Sequence, residues 1–412
     1  MNVQPPIDDP SRPGATQAGR PISMVEYYEA QDFNPVLIRV EDPGVWRDHQ
    51  AKRRNLYERH LGIPLPLLRD RRVLEFGCNS GENALVLAGH GARLTFVEPH
   101  AQVAPRLQQL FRAFGQGAAI QAFHHADLGS FQTAERFDLV IAEGFLSTLP
   151  DRNAMLGKLI SLVQPGGFGV ISYNDRLGGL LEMLKRAVLF RAYALEGIAD
   201  IQSGRALDIA RDCFEADFLE LKASRSFEAW WRDTMVAPVY TEAELWSLPE
   251  ILTLLEAGGA EVQGTSPAWS DWEHYRWYKD VPDPQSASMR LREDWQRNLV
   301  YFLTGLRPAT LERIPSQAVL EEAAGLVGAL SRLGTSLSPA APPPVQAEGL
   351  LAHLASDPSR AVQEFAAELG SLLEALGSAG TPALLARYRD SHRLRALWGT
   401  AYHYLCFRVP PA

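Results

Sequence analysis

The chain has 412 residues, of which 46% are hydrophobic and 22% charged, enough for two or three globular units with a sizeable core. Forty basic residues against 49 acidic ones give a net charge of −9, which argues against a general nucleic-acid coat. Cys78, Cys213 and Cys406 stand far apart without zinc-ligand spacing, which rules out a disulfide framework.

Residues 1–21 are polar and proline-rich and read as a disordered tail, with no apolar stretch of the signal-peptide kind. No run of about 18 uncharged apolar residues follows anywhere, so the expectation is a cytoplasmic chain that does not engage a membrane. Residues 22–68 read as an N-terminal helical lid. Val45, Trp46, Leu56, Tyr57 and Leu61 recur loosely at helical spacing, and Tyr27 and Tyr28 precede them. That segment either covers a ligand or packs on the edge of a sheet. Lys52-Arg53-Arg54 within it reads as a solvated face.

From residue 69 short apolar runs alternate with helical stretches. RRVLEFG, ARLTFVEP, AIQAFHHAD, FDLVIAEG and FGVISYND read as five strands with helices between them, which implies right-handed crossovers and a mostly parallel sheet. Residues 177–258 read as a helical insertion. GAEVQGTSP and HYRWYKDV are the next strand candidates. Residues 285–412 read as a separate helical domain, with Val362, Phe365, Leu369, Leu372 and Leu376 marking one amphipathic helix.

The strongest motif is the strand Val73–Phe76 running into Gly77-Cys78-Asn79-Ser80-Gly81 at the start of a helix. Such a loop lets a ligand approach backbone N–H groups at a helix N-terminus. Glu98 ends the next strand, where a carboxylate can accept both hydroxyls of a ribose. The loop lacks the third glycine of the dinucleotide-binding pattern. It resembles instead the E/D-x-G-x-G-x-G loop of class I S-adenosylmethionine-dependent methyltransferases, with Asn79 in place of the middle glycine. The resemblance spans about residues 70–175 and runs on through Glu98, Asp127, FDLVIAEG and LVQPGGFGVIS in order. It implies a Rossmann-like seven-stranded, mostly parallel sheet with helices on both faces, and S-adenosyl-L-methionine as cofactor. It assigns cofactor binding to Glu75, Gly77, Cys78, Asn79, Gly81, Glu98, Asp127 and Glu143. Asp127 reads as an adenine ligand or as a turn former, and Cys78 as a small packed hydrophobe.

Methyl transfer from a sulfonium is an in-line displacement, governed by positioning and exclusion of water, with a base where the nucleophile carries a proton. Open α/β sheets bind ligands at the carboxyl ends of their strands. Glu143 after strand four and Asp175 after strand five are therefore the catalytic candidates, with Asp48 and His49 behind them. Glu143, Asn174 and Asp175 also have the oxygen chemistry of a magnesium site, but a helix cap explains Asp175 more simply, and no metal is expected. The N/D-P-P-Y signature of amino-methyltransferases acting on nucleobases is absent. Trp230, Trp231, Arg232, Asp233, Tyr240, Trp269, Trp272, His274, Tyr275, Trp277 and Tyr278 either line a substrate pocket or fasten the insertion to the sheet. The expected activity is methylation of an oxygen or nitrogen of a small molecule. The alternatives are a tRNA or protein methyltransferase docking through the C-terminal helices, and a non-catalytic cofactor-binding scaffold.

Overall fold

A computed structural model of the chain describes residues 26–27, 38–221, 226–238, 241, 244–268, 279, 284–306, 314–340, 342, 345–378 and 380–411. The proposed tail, Tyr28, Tyr240 and the aromatics of 269–278 lie outside them, as does all of HYRWYKDV except Lys279. In chain order the strands are β1 (Arg72–Phe76), β2 (Arg93–Val97), β3 (Ile120–His124), β4 (Phe137–Ala142), β5 (Val163–Asp175), β6 (Leu245–Trp246), β7 (Glu261–Ser266) and β8 (Tyr402–Arg408). Before the sheet lie α1 (Pro43–Arg54) and a π-helical turn, Asn55–His60. Between the first five strands lie α2 (Glu82–Gly89), α3 (Val103–Ala113) and α4 (Arg152–Leu162). After β5 come α5 (Leu180–Leu195), α6 (Gly204–Glu220), α7 (Phe227–Trp230) and α8 (Leu248–Ala257). Between β7 and β8 come α9 (Pro284–Arg297), α10 (Leu299–Thr304), α11 (Gln317–Leu333), α12 (Glu348–Ala355), α13 (Arg360–Ser378), α14 (Thr381–Asp390) and α15 (His392–Arg395).

The sheet runs β3-β2-β1-β4-β5-β8-β7, with the two-residue β6 beside the end of β5. β1 to β5 are parallel, and β8 is antiparallel to both of its neighbours. Strand residues alternate between two cores, as the two-residue period of a pleated strand requires. Val73, Leu139, Ile141, Val170 and Cys406 face α2, α3 and the π-helical turn. Leu74, Phe76, Val140, Ile171, Leu405 and Phe407 face α4 and the large helical body. The reversal of β1 to β4 about the first strand puts a crevice at the carboxyl ends of β1 and β4, the usual ligand position in such sheets.

The sheet is Rossmann-like α/β, as the resemblance implies. The C-terminal part differs from its sequence reading. Residues 402–408 leave the helices and form β8, the strand inserted between β5 and β7. The physical reason is alternation: Leu405 and Phe407 enter one core while Cys406 enters the other. Gly169 permits the close approach, since a Cβ there would lie 2.1 Å from the Phe407 ring. Nor do the helices of 284–395 stand apart. Leu299, Phe302, Leu326, Leu330, Phe365 and Leu384 share one continuous core with α5 and the sheet.

Candidate active site

The glycine loop opens where β1 ends. The Gly77 N–H donates to the Val97 carbonyl at 3.0 Å, which fastens the loop to β2. Gly77, Asn79 and Gly81 all take left-handed backbone conformations, with φ of 66°, 48° and 91°, a region that glycine enters freely and asparagine tolerates. A Cβ on Gly77 would lie 2.9 Å from the Phe145 ring, and one on Gly81 would lie 3.1 Å from Leu107. Packing by the chain's own side chains thus accounts for both glycines. Cys78 is buried, and burial holds its thiol well above the ordinary range. It acts as the small hydrophobe the sequence suggests.

Glu98 sits across the loop at the end of β2. It accepts the Asn79 N–H at 3.4 Å and the His100 N–H at 3.0 Å. Burial raises its carboxyl, while these two N–H groups act in the opposite sense. Glu75, on β1, is 4% exposed, and its Oε2 has no hydrogen-bond partner. Burial first, and then neighbouring Glu143, push its carboxyl up to about 8.

Glu143 follows β4 and is held from three sides. Arg53 of α1 grips it with both ends, Nη1 to Oε2 at 2.9 Å and Nη2 to Oε1 at 2.7 Å. The Tyr57 hydroxyl donates to Oε1 at 3.4 Å and the Asn83 amide to Oε2 at 3.3 Å. Burial opposes the Arg53 charge, but Glu143 and Tyr57 outweigh it and hold the guanidinium above its usual range. The forked geometry suits guanidinium and carboxylate. The helix therefore closes onto the mouth of the sheet through an ion pair. Lys52 and Arg54 are exposed as read, but Arg53 is 5% exposed. Trp46, His49, Arg53 and Tyr57 form a stripe at helical spacing, and that stripe was the available signal.

The remaining candidates are engaged in other ways. Asp127 is exposed, and its Oδ1 accepts the Ser130 N–H at 2.6 Å, a bond that lowers its carboxyl. Asp175 is 0% exposed. Its Oδ1 accepts the Gly178 N–H at 2.8 Å ahead of α5, and its Oδ2 accepts the Trp295 indole N–H at 3.2 Å. Burial raises its carboxyl. Asp175 therefore fastens α9 to the sheet from within the core. Asp48 forms an exposed pair with Lys52 at 2.8 Å. His49 stacks on Trp46, its Nε2 has no partner, and burial, with Arg53 and Lys52 nearby, pushes it down to about 4. Among the described residues no three His, Cys, Asp or Glu side chains converge on a metal position. Trp230 and Trp231 are core residues, as fasteners would be. Tyr27 ties the N-terminal segment to the insertion, donating to the Arg232 carbonyl at 2.9 Å.

One group at the mouth was not legible. Tyr402, at the start of β8, is 46% exposed, and its hydroxyl lies 2.6 Å from Ser172 Oγ. Ser172 in turn accepts the Gly144 N–H at 2.8 Å. With one lone pair of Ser172 so engaged, Tyr402 can offer either a proton or a lone pair outward.

Residues 46–234 match a family model described as a methyltransferase domain. A ubiquinone biosynthesis O-methyltransferase of Bordetella avium is 27% identical over 175 residues, covering 39% of this chain and 67% of that protein. A trans-aconitate 2-methyltransferase of Rhizobium leguminosarum is 29% identical over 121 residues, covering 29% of this chain and 45% of that protein. Among solved structures, an N-methyltransferase from Bradyrhizobium japonicum in complex with S-adenosyl-L-homocysteine is similar at 23% identity and a TM-score of 0.29, over 36% of this chain and 73% of that one.

Proposed function

We propose, from the premise that residues 46–234 form a class I S-adenosylmethionine-dependent methyltransferase domain, that the chain methylates an oxygen or nitrogen of a small, soluble acceptor. The chain is a methyltransferase, and S-adenosyl-L-methionine is its cofactor. The observation that carries the site assignment is the partnerless Glu75 Oε2 beside the left-handed Gly77–Gly81 loop. A buried acceptor without a donor fits a ligand that brings a cation.

Glu98, oriented by the Asn79 and His100 N–H groups, accepts the ribose hydroxyls. The loop from Gly77 through Cys78 and Asn79 to Gly81 supplies backbone along the cofactor, and Asp127 borders the adenine end. When bound, the cofactor supplies a methyl group on a sulfonium. Arg53 and Tyr57 keep α1 closed over the mouth and exclude water.

Glu143 serves this site as the anchor of α1. Both of its oxygens are occupied by Arg53, Tyr57 and Asn83, so neither is left to face an acceptor molecule. Asp175 serves as a structural acceptor. The group left to meet an acceptor molecule is Tyr402, whose hydroxyl, held by Ser172, orients the nucleophilic atom by a hydrogen bond; burial pushes its phenol up to about 12, so it serves as a hydrogen-bonding group and not as a base. Acceptors that are already ionised need no base at all, and the names of the curated relatives favour small molecules over RNA.

The test is methyl transfer from labelled S-adenosylmethionine to separate pools of quinols and phenols, polycarboxylates, amines, RNA and protein. Label in a small-molecule pool supports the reading. Label confined to RNA or protein overturns the substrate class, and failure to bind S-adenosylhomocysteine overturns the site.

A further inference from the structure

Three carboxylates and one guanidinium meet at the mouth. Both terminal nitrogens of Arg53 donate to Glu143, Nη2 also to the Tyr57 hydroxyl, and Tyr57 and Asn83 each donate to Glu143 as well. Glu98 takes two backbone N–H groups. Glu75 Oε2 takes none. A buried carboxyl oxygen without a donor makes the ionised form costly and favours the protonated one. The groups that face it are Glu143 after β4, Arg53 from α1, Tyr57 from the π-helical turn, Glu98 after β2 and Cys78 in the loop. Burial holds the Tyr57 phenol and the Cys78 thiol well above their usual ranges, so both stay neutral. Arg53 is the one cation among them, and its charge, which favours the Glu75 anion, is shared with the Glu143 carboxylate that its two terminal nitrogens grip.

We propose that Glu75 is a proton-exchanging counter-charge, protonated while the mouth is empty and ionised when the α-ammonium of the cofactor arrives, so that cofactor binding releases one proton to solvent. This rests on the cofactor reading above. The ammonium follows by elimination. The ribose end belongs to Glu98, and both Glu143 oxygens already accept two hydrogen bonds each, so the cationic amino-acid end is left with Glu75. The step is balanced. The carboxyl O–H bond breaks, its proton passes to water or buffer, and the carboxylate accepts a hydrogen bond from the ammonium. The same exchange holds for S-adenosylhomocysteine, which keeps the ammonium and lacks the sulfonium charge.

With the free carboxyl near 8, Glu75 is about nine-tenths protonated at pH 7. Affinity for S-adenosylhomocysteine then rises roughly tenfold per pH unit between pH 6 and 7 and flattens near pH 8. The experiment is titration calorimetry of the full chain with S-adenosylhomocysteine at pH 7 in phosphate and in Tris, whose ionisation enthalpies differ. The expected result is close to one proton released, and about half that at pH 8. 5′-Methylthioadenosine keeps ribose and adenine but lacks the amino-acid end, and it should release none. Glu75→Gln copies the neutral carboxyl, so it should fold, bind S-adenosylhomocysteine more weakly and release none. The proposal is overturned if wild type binds S-adenosylhomocysteine without releasing a proton, if Glu75→Gln releases as much as wild type, or if methylthioadenosine does. Should Glu75→Gln not fold, the wild-type pH series and the methylthioadenosine arm still decide. Absence of S-adenosylhomocysteine binding altogether would overturn the cofactor reading first.

Discussion

Arg53 at the mouth and Arg186 among the helices are both buried guanidiniums, and they are satisfied differently. Arg186 donates to the carbonyls of Gly334, Thr234 and Ala237 at 2.8, 3.0 and 2.7 Å, tying α5 to the end of α11 and to the turn after α7. Beside it Asp217 accepts from Tyr388 at 2.5 Å and from Arg395 at 3.0 and 2.8 Å, with buried Lys185 at 3.8 Å. Lys185 also lies over the Trp398 ring at 3.9 Å. At the mouth, Arg53 Nε, His49 Nε2 and Glu75 Oε2 have no partner. The Arg186 and Asp217 clusters close their charges internally, as buried ions require for stability, although Glu244 Oε2 and Arg290 Nη2 elsewhere in the helical part lack a partner. The mouth leaves acceptors and donors open, which costs stability and suits a site that a ligand completes.

Four variants would break or sharpen that contrast. Deleting residues 402–411 should have the largest effect. It strips β5 and β7 of their shared neighbour and removes Leu405 and Phe407 from the core. Loss of the cooperative thermal transition is the expected outcome, and a truncated chain that melts like wild type would show β8 to be dispensable. Asp217→Ala leaves Lys185 and Arg395 without their counter-charge and should cost about 3–5 kcal/mol in urea unfolding, with S-adenosylhomocysteine affinity unchanged per folded molecule.

Glu75→Gln should change the pH dependence of stability. The folded carboxyl is pushed from 4.5 up to about 8, so between those values the folded chain holds a proton the unfolded chain has lost. Stability contributed by Glu75 is full below pH 4.5 and is lost as pH rises towards 8. The variant should lack this slope and be the more stable protein at pH 9 without cofactor. Glu244, which burial also pushes up to about 8, titrates in both and cancels in the difference. Equal slopes in the two proteins would place the Glu75 proton elsewhere. Arg53→Ala should cost less than Asp217→Ala, about 2 kcal/mol, because water reaches the mouth once α1 loosens. Its main signature should be faster release of S-adenosylhomocysteine in stopped flow, and an unchanged release rate would mean that α1 does not gate the site.

The sheet and the loop were legible because their signals are local. The short, nearly continuous apolar runs Val73–Phe76 and Phe137–Ala142, and glycines at 77 and 81, each report on their own few residues. Arg53 was hidden because a Lys-Arg-Arg run has the composition of a wet surface, and its partner Glu143 arrives from the far end of β4. Asp175 stands where a strand ends, and only the packing of Trp295 from α9 shows that this strand end is sealed. β8 was hidden because strand membership depends on neighbours distant in sequence, and its text follows a long helical stretch.

The position of β8 also sets an order of events at the ribosome. Ile171 must wait for Leu405 before the sheet can close. At about 5–20 residues per second this delay is on the order of tens of seconds. During it β5 presents an open edge over Phe168–Asn174, the kind of surface that recruits other strands. The helices made in that interval pack on a face of the sheet, so the hydrogen-bonding edge itself is covered only when the final strand slots in.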